Sequence, residues 1–282
     1  MESLLQGKTA LVTGAMSGIG KQTAIGLATR GATVILVARD RERGAVRKQE
    51  VRRISGSSQV ELLVADLSSQ RGVIGLAEAF RARWDDLSVL VNAIDARFEQ
   101  RSLTEDGVER TFATNYLSAF LLTQLLREEL RAGAPSRIVN VASRAHRGAH
   151  LDFDDLHGEQ DYSAQRAYAQ SKLATILFTY ELASRLDSGV TVNCVEPGAV
   201  QPPRGATRLA RVSGAIAAPL RHGRRGVRGL LHVATAPDLE TVSAEYFSPS
   251  GAERRTSNES YDPMVAAQLW EASEALVAAR VG

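Results

Sequence analysis

Thr9-Ala10-Leu11-Val12-Thr13-Gly14-Ala15-Met16-Ser17-Gly18-Ile19-Gly20 decides the fold of this chain. A short apolar run ends in a turn with three glycines, and residues of helical spacing follow as far as Arg30. Glycine at such a turn lets the backbone bend sharply and approach a pyrophosphate, whose charge meets the unpaired N–H groups of the helix that follows. A glycine cluster alone is weak evidence. Here it follows a predicted strand, opens a predicted helix and is the first such turn in the chain, which is the context a dinucleotide site requires.

Reading outward, apolar and β-branched runs alternate with helical periods. Thr33 to Ala38, Val60 to Ala65, Leu87 to Asn92, Arg137 to Ser143 and Val190 to Glu196 read as strands, with long helices over Gly107 to Arg131 and Tyr162 to Leu186. Strands that are apolar throughout belong to a sheet covered on both faces, and right-handed crossovers then give a doubly wound parallel α/β fold. The expected organisation is one domain over 1–282, with a dinucleotide-binding half over about 7–143 and a catalytic and substrate half over about 144–282. Gln201 to Gly226 mixes Pro202, Pro203, Gly205, Gly214, Pro219 and Gly223 with arginines, and reads as part of a flap over about 199–226 beside the site.

Lys plus Arg number 34 against 32 Asp plus Glu, a balance that does not point to nucleic acid or an anionic membrane. The single Cys194 excludes an internal disulfide or a cysteine-rich metal site, and a reducing cytoplasm fits. The first strand starts too early for a signal peptide, and no apolar run approaches the roughly 18 residues of a spanning helix. A soluble cytoplasmic protein without a membrane anchor is expected.

Tyr168 and Lys172 stand four apart in a helical stretch, and so share a face. An ammonium there is expected to favour the ionised phenol, turning a group with pKa near 10 into an acid/base, while Ser143 at a strand end can donate to the same substrate oxygen. The structural alternative for such a pair is plain surface packing. Tyr162 and Arg166 repeat the spacing at the wrong distance from Ser143, and Tyr162 reads as helix-start packing.

With these segments the chain resembles the short-chain dehydrogenase/reductase family, from about Gly7 to the C-terminal helix, and within it the retinol dehydrogenase-like branch. Gly31-Ala-Thr-Val-Ile-Leu-Val-Ala-Arg-Asp40, Arg137-Ile-Val-Asn-Val-Ala-Ser143, Leu151-Asp-Phe-Asp-Asp-Leu156 and Leu269-Trp-Glu-Ala-Ser273 carry the likeness. The resemblance implies a catalytic set of Asn115, Ser143, Tyr168 and Lys172, with Tyr168 exchanging the proton and Ser143 steadying the oxygen. Lys172 would bind the nicotinamide ribose and lower the Tyr168 pKa, and Asn115 would hold a proton-relaying water. It implies dinucleotide contacts at Gly14, Ser17, Gly18, Ile19, Gly20, Arg39, Asp66, Leu67, Asn92, Tyr168, Lys172, Pro197 and Gly198.

Arg39 falls where a guanidinium can take a 2′-phosphate, so NADP(H) is expected ahead of NAD(H), which stays possible; Asp40 next to it could instead accept from a 2′-hydroxyl, and Arg43 could assist or simply face solvent. Asp66 either contacts the adenine amino group or caps a helix before Ser68. Two positions depart from the family pattern: Asp95 replaces a glycine, and Pro202 stands where a threonine would bond the carboxamide. His146, His150 and His157 are expected at the substrate entrance rather than on a metal, and Arg221, Arg224, Arg225 and Arg228 as a solvated helix start. A homodimer or homotetramer is expected from the apolar faces of the two long helices. The function implied is NADP(H)-dependent carbonyl/alcohol interconversion on a small lipophilic molecule; non-redox acid/base chemistry with the same residues, and a dinucleotide-binding regulatory or scaffold protein, are the alternatives.

Overall fold

The computed structural model describes residues 4–16, 18–198 and 217–278, with backbone alone for 217–225. Ser17, Pro202 and most of the expected flap lie outside the described residues, as do the side chains of Arg221, Arg224 and Arg225. The chain runs β1 (Thr9–Val12), α1 (Gly18–Thr29), β2 (Thr33–Ala38), α2 (Arg41–Ser55), β3 (Val60–Val64), α3 (Gln70–Arg81) and β4 (Val89–Asn92). Then come α4 (Arg110–Phe112), a π-helical turn (Ala113–Leu117), α5 (Ser118–Leu125), α6 (Arg127–Ala132), β5 (Ser136–Val141), α7 (Ala164–Ala183) and β6 (Val190–Val195). The last elements are α8 (Ala217–Thr235), β7 (Tyr246–Phe247) and α9 (Pro263–Ala278).

All strand pairs are parallel, in the order β3-β2-β1-β4-β5-β6-β7. The central strands carry apolar residues on both sides because both faces are covered, whereas edge strand β3 has Glu61 and β5 and β6 add Arg137, Asn140 and Asn193. Leu11, Ile35, Leu90 and Ile138 enter one core with α3, α5, α7 and α9, while Val12, Leu36, Val91 and Val139 enter the other with α1 and α8. This alternation is the period of two expected of a strand. Strands are added outward in one direction from β1 to β3 and in the other from β4 to β7, and ligands of such sheets bind at the carboxyl ends of the strands at this switch point between β1 and β4.

The helix expected from Gly107 to Arg131 is interrupted. Glu109 caps α4 by accepting from the backbone N–H groups of Thr111 and Phe112, the turn that holds Asn115 is π-helical, and Leu126 separates α5 from α6. Single π turns occur often at functional sites. Helix α7 starts after Ser163, which caps it, so Tyr162 precedes the helix and donates its hydroxyl to the Phe98 carbonyl at 2.8 Å, the packing role expected of it. Residues Ser171 to Thr179 of α7 are buried on every side. The apolar surplus of α5 and α7 is met within the chain by α9, where Trp270 packs edge-on against Phe120 at 5.0 Å and stacks on Phe178 at 6.1 Å.

Candidate active site

At the end of β1 the Gly14 backbone is left-handed (φ +67°), and a Cβ there would lie 2.3 Å from the Ala93 carbonyl oxygen. A Cβ on Gly20 would sit 2.4 Å from the Gly14 oxygen, so both positions exclude any side chain. Thr13 fastens this turn to the next strand end, donating its hydroxyl to the Val91 carbonyl (3.2 Å) and accepting from Ala93 N–H (3.1 Å). Helix α1 opens at Gly18 with no acidic residue in its first turn, which suits an anion at its N-terminus. Ile19 is buried in the core and anchors the start of α1. A second tie was not legible in the sequence: Arg47 of α2 donates to the Met16 carbonyl at 2.7 Å, and Glu50 joins Arg47 to Lys21 of α1.

Beyond β2, Arg39 is exposed and has no ion-pair partner among the described residues. Asp40 caps α2, one of its carboxylate oxygens accepting from Arg43 N–H at 2.8 Å. Asp66 accepts from both the N–H (3.0 Å) and the hydroxyl (2.8 Å) of Ser68, and Leu67 belongs to the core. The Asn92 amide donates to Asn140 at 2.9 Å, while its own oxygen is buried without a partner. Pro197 and Gly198 follow β6, with Gly198 at φ +72°, and α8 packs so close that a Cβ on Gly226 would be 2.0 Å from the Pro197 oxygen. A glycine cradle, an unpaired guanidinium and an orphaned amide oxygen along one crevice fit a dinucleotide.

The four expected catalytic residues sit beside this cradle. Tyr168 is half-buried on the first turns of α7, its phenol facing the Ser143 hydroxyl from beyond β5 and the Asp95 carboxylate from beyond β4. Lys172, one turn along and 1% exposed, places Nζ 5.6 Å from the Tyr168 ring centre. Its ammonium donates to the Val141 carbonyl at 3.2 Å and pairs with Asp95 at 3.0 Å. Asn115 donates to the Ala96 carbonyl (2.8 Å) and the Ser171 hydroxyl (3.0 Å) and accepts from Ala96 N–H (2.8 Å). Its side-chain amide therefore holds the segment that carries Asp95, and both amide hydrogens are taken.

The electrostatics differ from the sequence expectation. Burial raises the Tyr168 phenol above its ordinary range, the Asp95 carboxylate adds to the shift, and the Ser143 hydroxyl opposes it. Lys172 was expected to lower that pKa, but its charge is neutralised by Asp95. His146 was expected at the substrate entrance and is instead fully buried. Its Nδ1 lies 2.6 Å from the Ser143 carbonyl oxygen, its ring packs edge-on against Tyr246, and burial lowers its pKa. Tyr246 in turn donates to buried Glu196 at 2.9 Å, just before Pro197. His157 accepts from Glu109 N–H, and exposed His150 pairs with Glu259 at 2.9 Å. The exposed Arg228 has the solvated position expected of it.

Comparison with known proteins agrees with this geometry. The family model described as short chain dehydrogenase matches residues 8–211. Retinol dehydrogenase 13 of Mus musculus is 39% identical, over 98% of this chain and 85% of its own length. Retinol dehydrogenase 11 of Homo sapiens is 40% identical, over 95% and 85%. Among solved structures, an uncharacterised protein of Mycobacterium paratuberculosis superposes with a TM-score of 0.79 at 30% identity, covering 98% of this chain and 97% of the other. The Pseudomonas aeruginosa RhlG/NADP complex gives 0.65 at 28%, covering 88% and 96%. With its glycine cradle, its Ser143, Tyr168 and Lys172 cluster and these matches, the chain belongs to the short-chain dehydrogenase family.

Proposed function

We propose that this protein is an NADP(H)-dependent oxidoreductase that interconverts a carbonyl and an alcohol on a small, lipophilic molecule, with Tyr168 as the acid/base. The observation that carries the reading is the convergence of the Tyr168 phenol and the Ser143 hydroxyl, one helical turn from buried Lys172, beside a glycine cradle that no side chain could enter. Curated relatives of 39 and 40% identity are named retinol dehydrogenases, and the solved RhlG is described with NADP at its active site, which supports both the reaction class and the cofactor.

When bound, a nicotinamide dinucleotide supplies or accepts the hydride. The cradle of Gly14, Gly18 and Gly20 and the N-terminus of α1 would hold its pyrophosphate, Arg39 its 2′-phosphate, Lys172 its ribose, and Asn92, Pro197 and Gly198 would flank it. Arg39 favours NADP(H) because it has no ion-pair partner among the described residues, whereas Asp40 already caps α2 through one carboxylate oxygen. Tyr168 gives its proton to the substrate oxygen in reduction and takes it back in oxidation, while Ser143 donates a hydrogen bond to the same oxygen. Asn115 acts by fixing Ala96 and so the placement of Asp95. The loop after Ser143 borders the substrate and is anchored by Arg147, which donates to the Arg255 carbonyl at 2.6 Å, and by Glu259, which accepts from Leu151 N–H at 2.9 Å.

The Asp95–Lys172 pair favours a second reading, non-redox acid/base chemistry at the same residues, because it occupies the cation a ribose would use. Titration with NADPH, NADH and their oxidised forms, followed by a carbonyl and alcohol panel read by nicotinamide absorbance, decides between them. Saturable NADP(H) binding with turnover is expected; no binding of any of the four overturns the oxidoreductase reading. Assembly as a homodimer or homotetramer is part of the same proposal and is checked by sedimentation equilibrium.

A further inference from the structure

His146 is fully buried three residues past Ser143, and its ring is only half satisfied. Nδ1 lies 2.6 Å from the Ser143 carbonyl oxygen, and a carbonyl only accepts, so Nδ1 carries the proton. Nε2 is then a bare acceptor, buried with no hydrogen-bond partner among the described residues. A buried polar atom without a partner costs free energy that a leucine or phenylalanine at the same place would not incur. Packing alone therefore does not account for a histidine here. Its side-chain hydrogen bond goes to the backbone of the very residue whose hydroxyl faces the site. Ser143, in extended geometry, caps the tight turn Arg144–His146: its Oγ accepts from Ala145 N–H at 3.2 Å and its carbonyl accepts from His146 N–H at 3.2 Å. With Oγ held there as an acceptor, its own hydrogen is left to be donated elsewhere. Both ends of the turn are braced from β6 and β7. Arg144 Nε lies 3.8 Å from Glu196 Oε1, the His146 ring packs edge-on against Tyr246 at 5.3 Å, and the Tyr246 hydroxyl donates to Glu196 Oε2 at 2.9 Å. These contacts close a ring around the turn, with Glu196 and Tyr246 buried.

We propose, building on the oxidoreductase reading, that His146 is a positioning residue for Ser143: by holding the Ser143 carbonyl from inside the core, it fixes the turn so that the Ser143 hydroxyl aims its hydrogen at the substrate oxygen. Tyr246 and Glu196 keep the ring in place from β7 and β6. His146 touches neither substrate nor cofactor, and its effect on turnover passes through Ser143. No proton leaves it during the reaction, since the Nδ1 hydrogen is engaged by the carbonyl and Nε2 is buried. Without that hydrogen bond the carbonyl turns away and the hydroxyl is misplaced, and a misplacement of about 1 Å costs roughly a hundredfold in rate. The glycine cradle at the end of β1 is built without this turn, so dinucleotide affinity does not depend on it.

The test compares His146→Asn, whose side-chain N–H reaches the place of Nδ1, with His146→Leu, which is apolar and has no donor. His146→Gln, whose amide reaches the place of Nε2 instead, replaces the leucine variant if that one does not fold. Each is made in the parent and in Ser143→Ala, and NADPH affinity is measured beside kcat and KM. Leucine is expected to lower kcat about ten- to a hundredfold with NADPH affinity little changed, and asparagine to restore most of the loss. Ser143→Ala itself removes a donor worth about a hundredfold to a thousandfold in kcat. His146→Leu is expected to add nothing on top of it, because residues that act as a unit are not additive. Equal losses for asparagine and leucine would show a packing role and overturn the inference. So would an unchanged kcat in the leucine variant, or a further fall in Ser143→Ala as large as in the parent. A parent protein that binds no dinucleotide and turns nothing over sinks the oxidoreductase reading, and this inference with it; a parent that turns over keeps that reading whichever way the histidine variants fall.

Discussion

The replacement Gly14→Ala tests the cradle on which the cofactor assignment rests, and the structure supplies its own controls. Gly14 has φ +67° and a Cβ would lie 2.3 Å from the Ala93 oxygen and 2.9 Å from Ile94 N. Gly56, which ends α2, has nearly the same backbone angle, +72°, with nothing within 4 Å of its added Cβ. Gly75 in α3 has open space and ordinary helical geometry. A left-handed alanine costs about 1 kcal/mol relative to glycine. Forcing backbone aside adds roughly 1–3 kcal/mol, and alanine inside a helix gains about 0.5–1 kcal/mol over glycine. Gly14→Ala is thus expected to lose about 2–4 kcal/mol, Gly56→Ala about 1, and Gly75→Ala to gain up to about 1.

At roughly 2–4 °C per kcal/mol for a domain approaching this size, Tm falls by about 5–15 °C, falls by about 2–4 °C and rises by about 1–4 °C, respectively. Because the clash is with the strand end that leads to Asp95, Gly14→Ala also weakens NADPH binding at least about tenfold, about 1.4 kcal/mol, which fluorescence titration measures. Differential scanning calorimetry gives the order of the three. Equal losses for Gly14→Ala and Gly56→Ala would refute the claim that the backbones of the two strand ends touch.

Arg39→Ala removes a charge-assisted hydrogen bond worth about 1.5–3 kcal/mol, so NADP(H) affinity falls roughly ten- to a hundredfold with NAD(H) little changed; a parallel loss for both refutes the 2′-phosphate role. Tyr168→Phe keeps dinucleotide affinity and lowers kcat by about a hundredfold to ten-thousandfold, and retained turnover removes Tyr168 from the chemistry. His146 has a folded pKa below its unfolded value because it is buried. It therefore contributes stability that is full above about pH 6.5 and is lost as pH falls from there through the folded pKa, at up to about 1.4 kcal/mol per pH unit. Denaturant unfolding over that window is flatter for His146→Gln than for the parent, whatever its absolute stability, and identical slopes exclude His146 as the titrating group.

What could be read in the sequence and what could not divide along a physical line. The sheet was legible because residues such as Leu11 and Val12 serve opposite cores, leaving strands such as β1 and β2 apolar without alternation. The cradle was legible because Gly14 and Gly20 are forced by backbone contact alone. Tyr168 and Lys172 were legible because helical spacing fixes neighbours three and four apart. The same rule misled the electrostatic reading. Spacing places an ammonium by a phenol but is silent about what neutralises that ammonium, and Asp95 arrives from a different strand end, positioned by Asn115 in a π turn whose residues read as ordinary helix. His146 was misplaced for a related reason, since its cover comes from Tyr246 on a two-residue strand far along the chain.

These distant partners also explain why an acidic residue is tolerated where the family has glycine. A buried ammonium costs several kcal/mol unless it is compensated, and Lys172 is 1% exposed with the Val141 carbonyl as its only other polar contact among the described residues. Asp95 supplies the counter-charge before any dinucleotide arrives. On the proposed reading the ribose hydroxyls would have to share or displace it, so the residue that stabilises the free protein would oppose binding. Asp95→Gly is therefore expected to lower the Tm of the free protein while tightening NADPH. Such opposite signs cannot come from a general loss of folding, and a variant that loses both stability and affinity would show that the carboxylate supports the cofactor instead of competing with it.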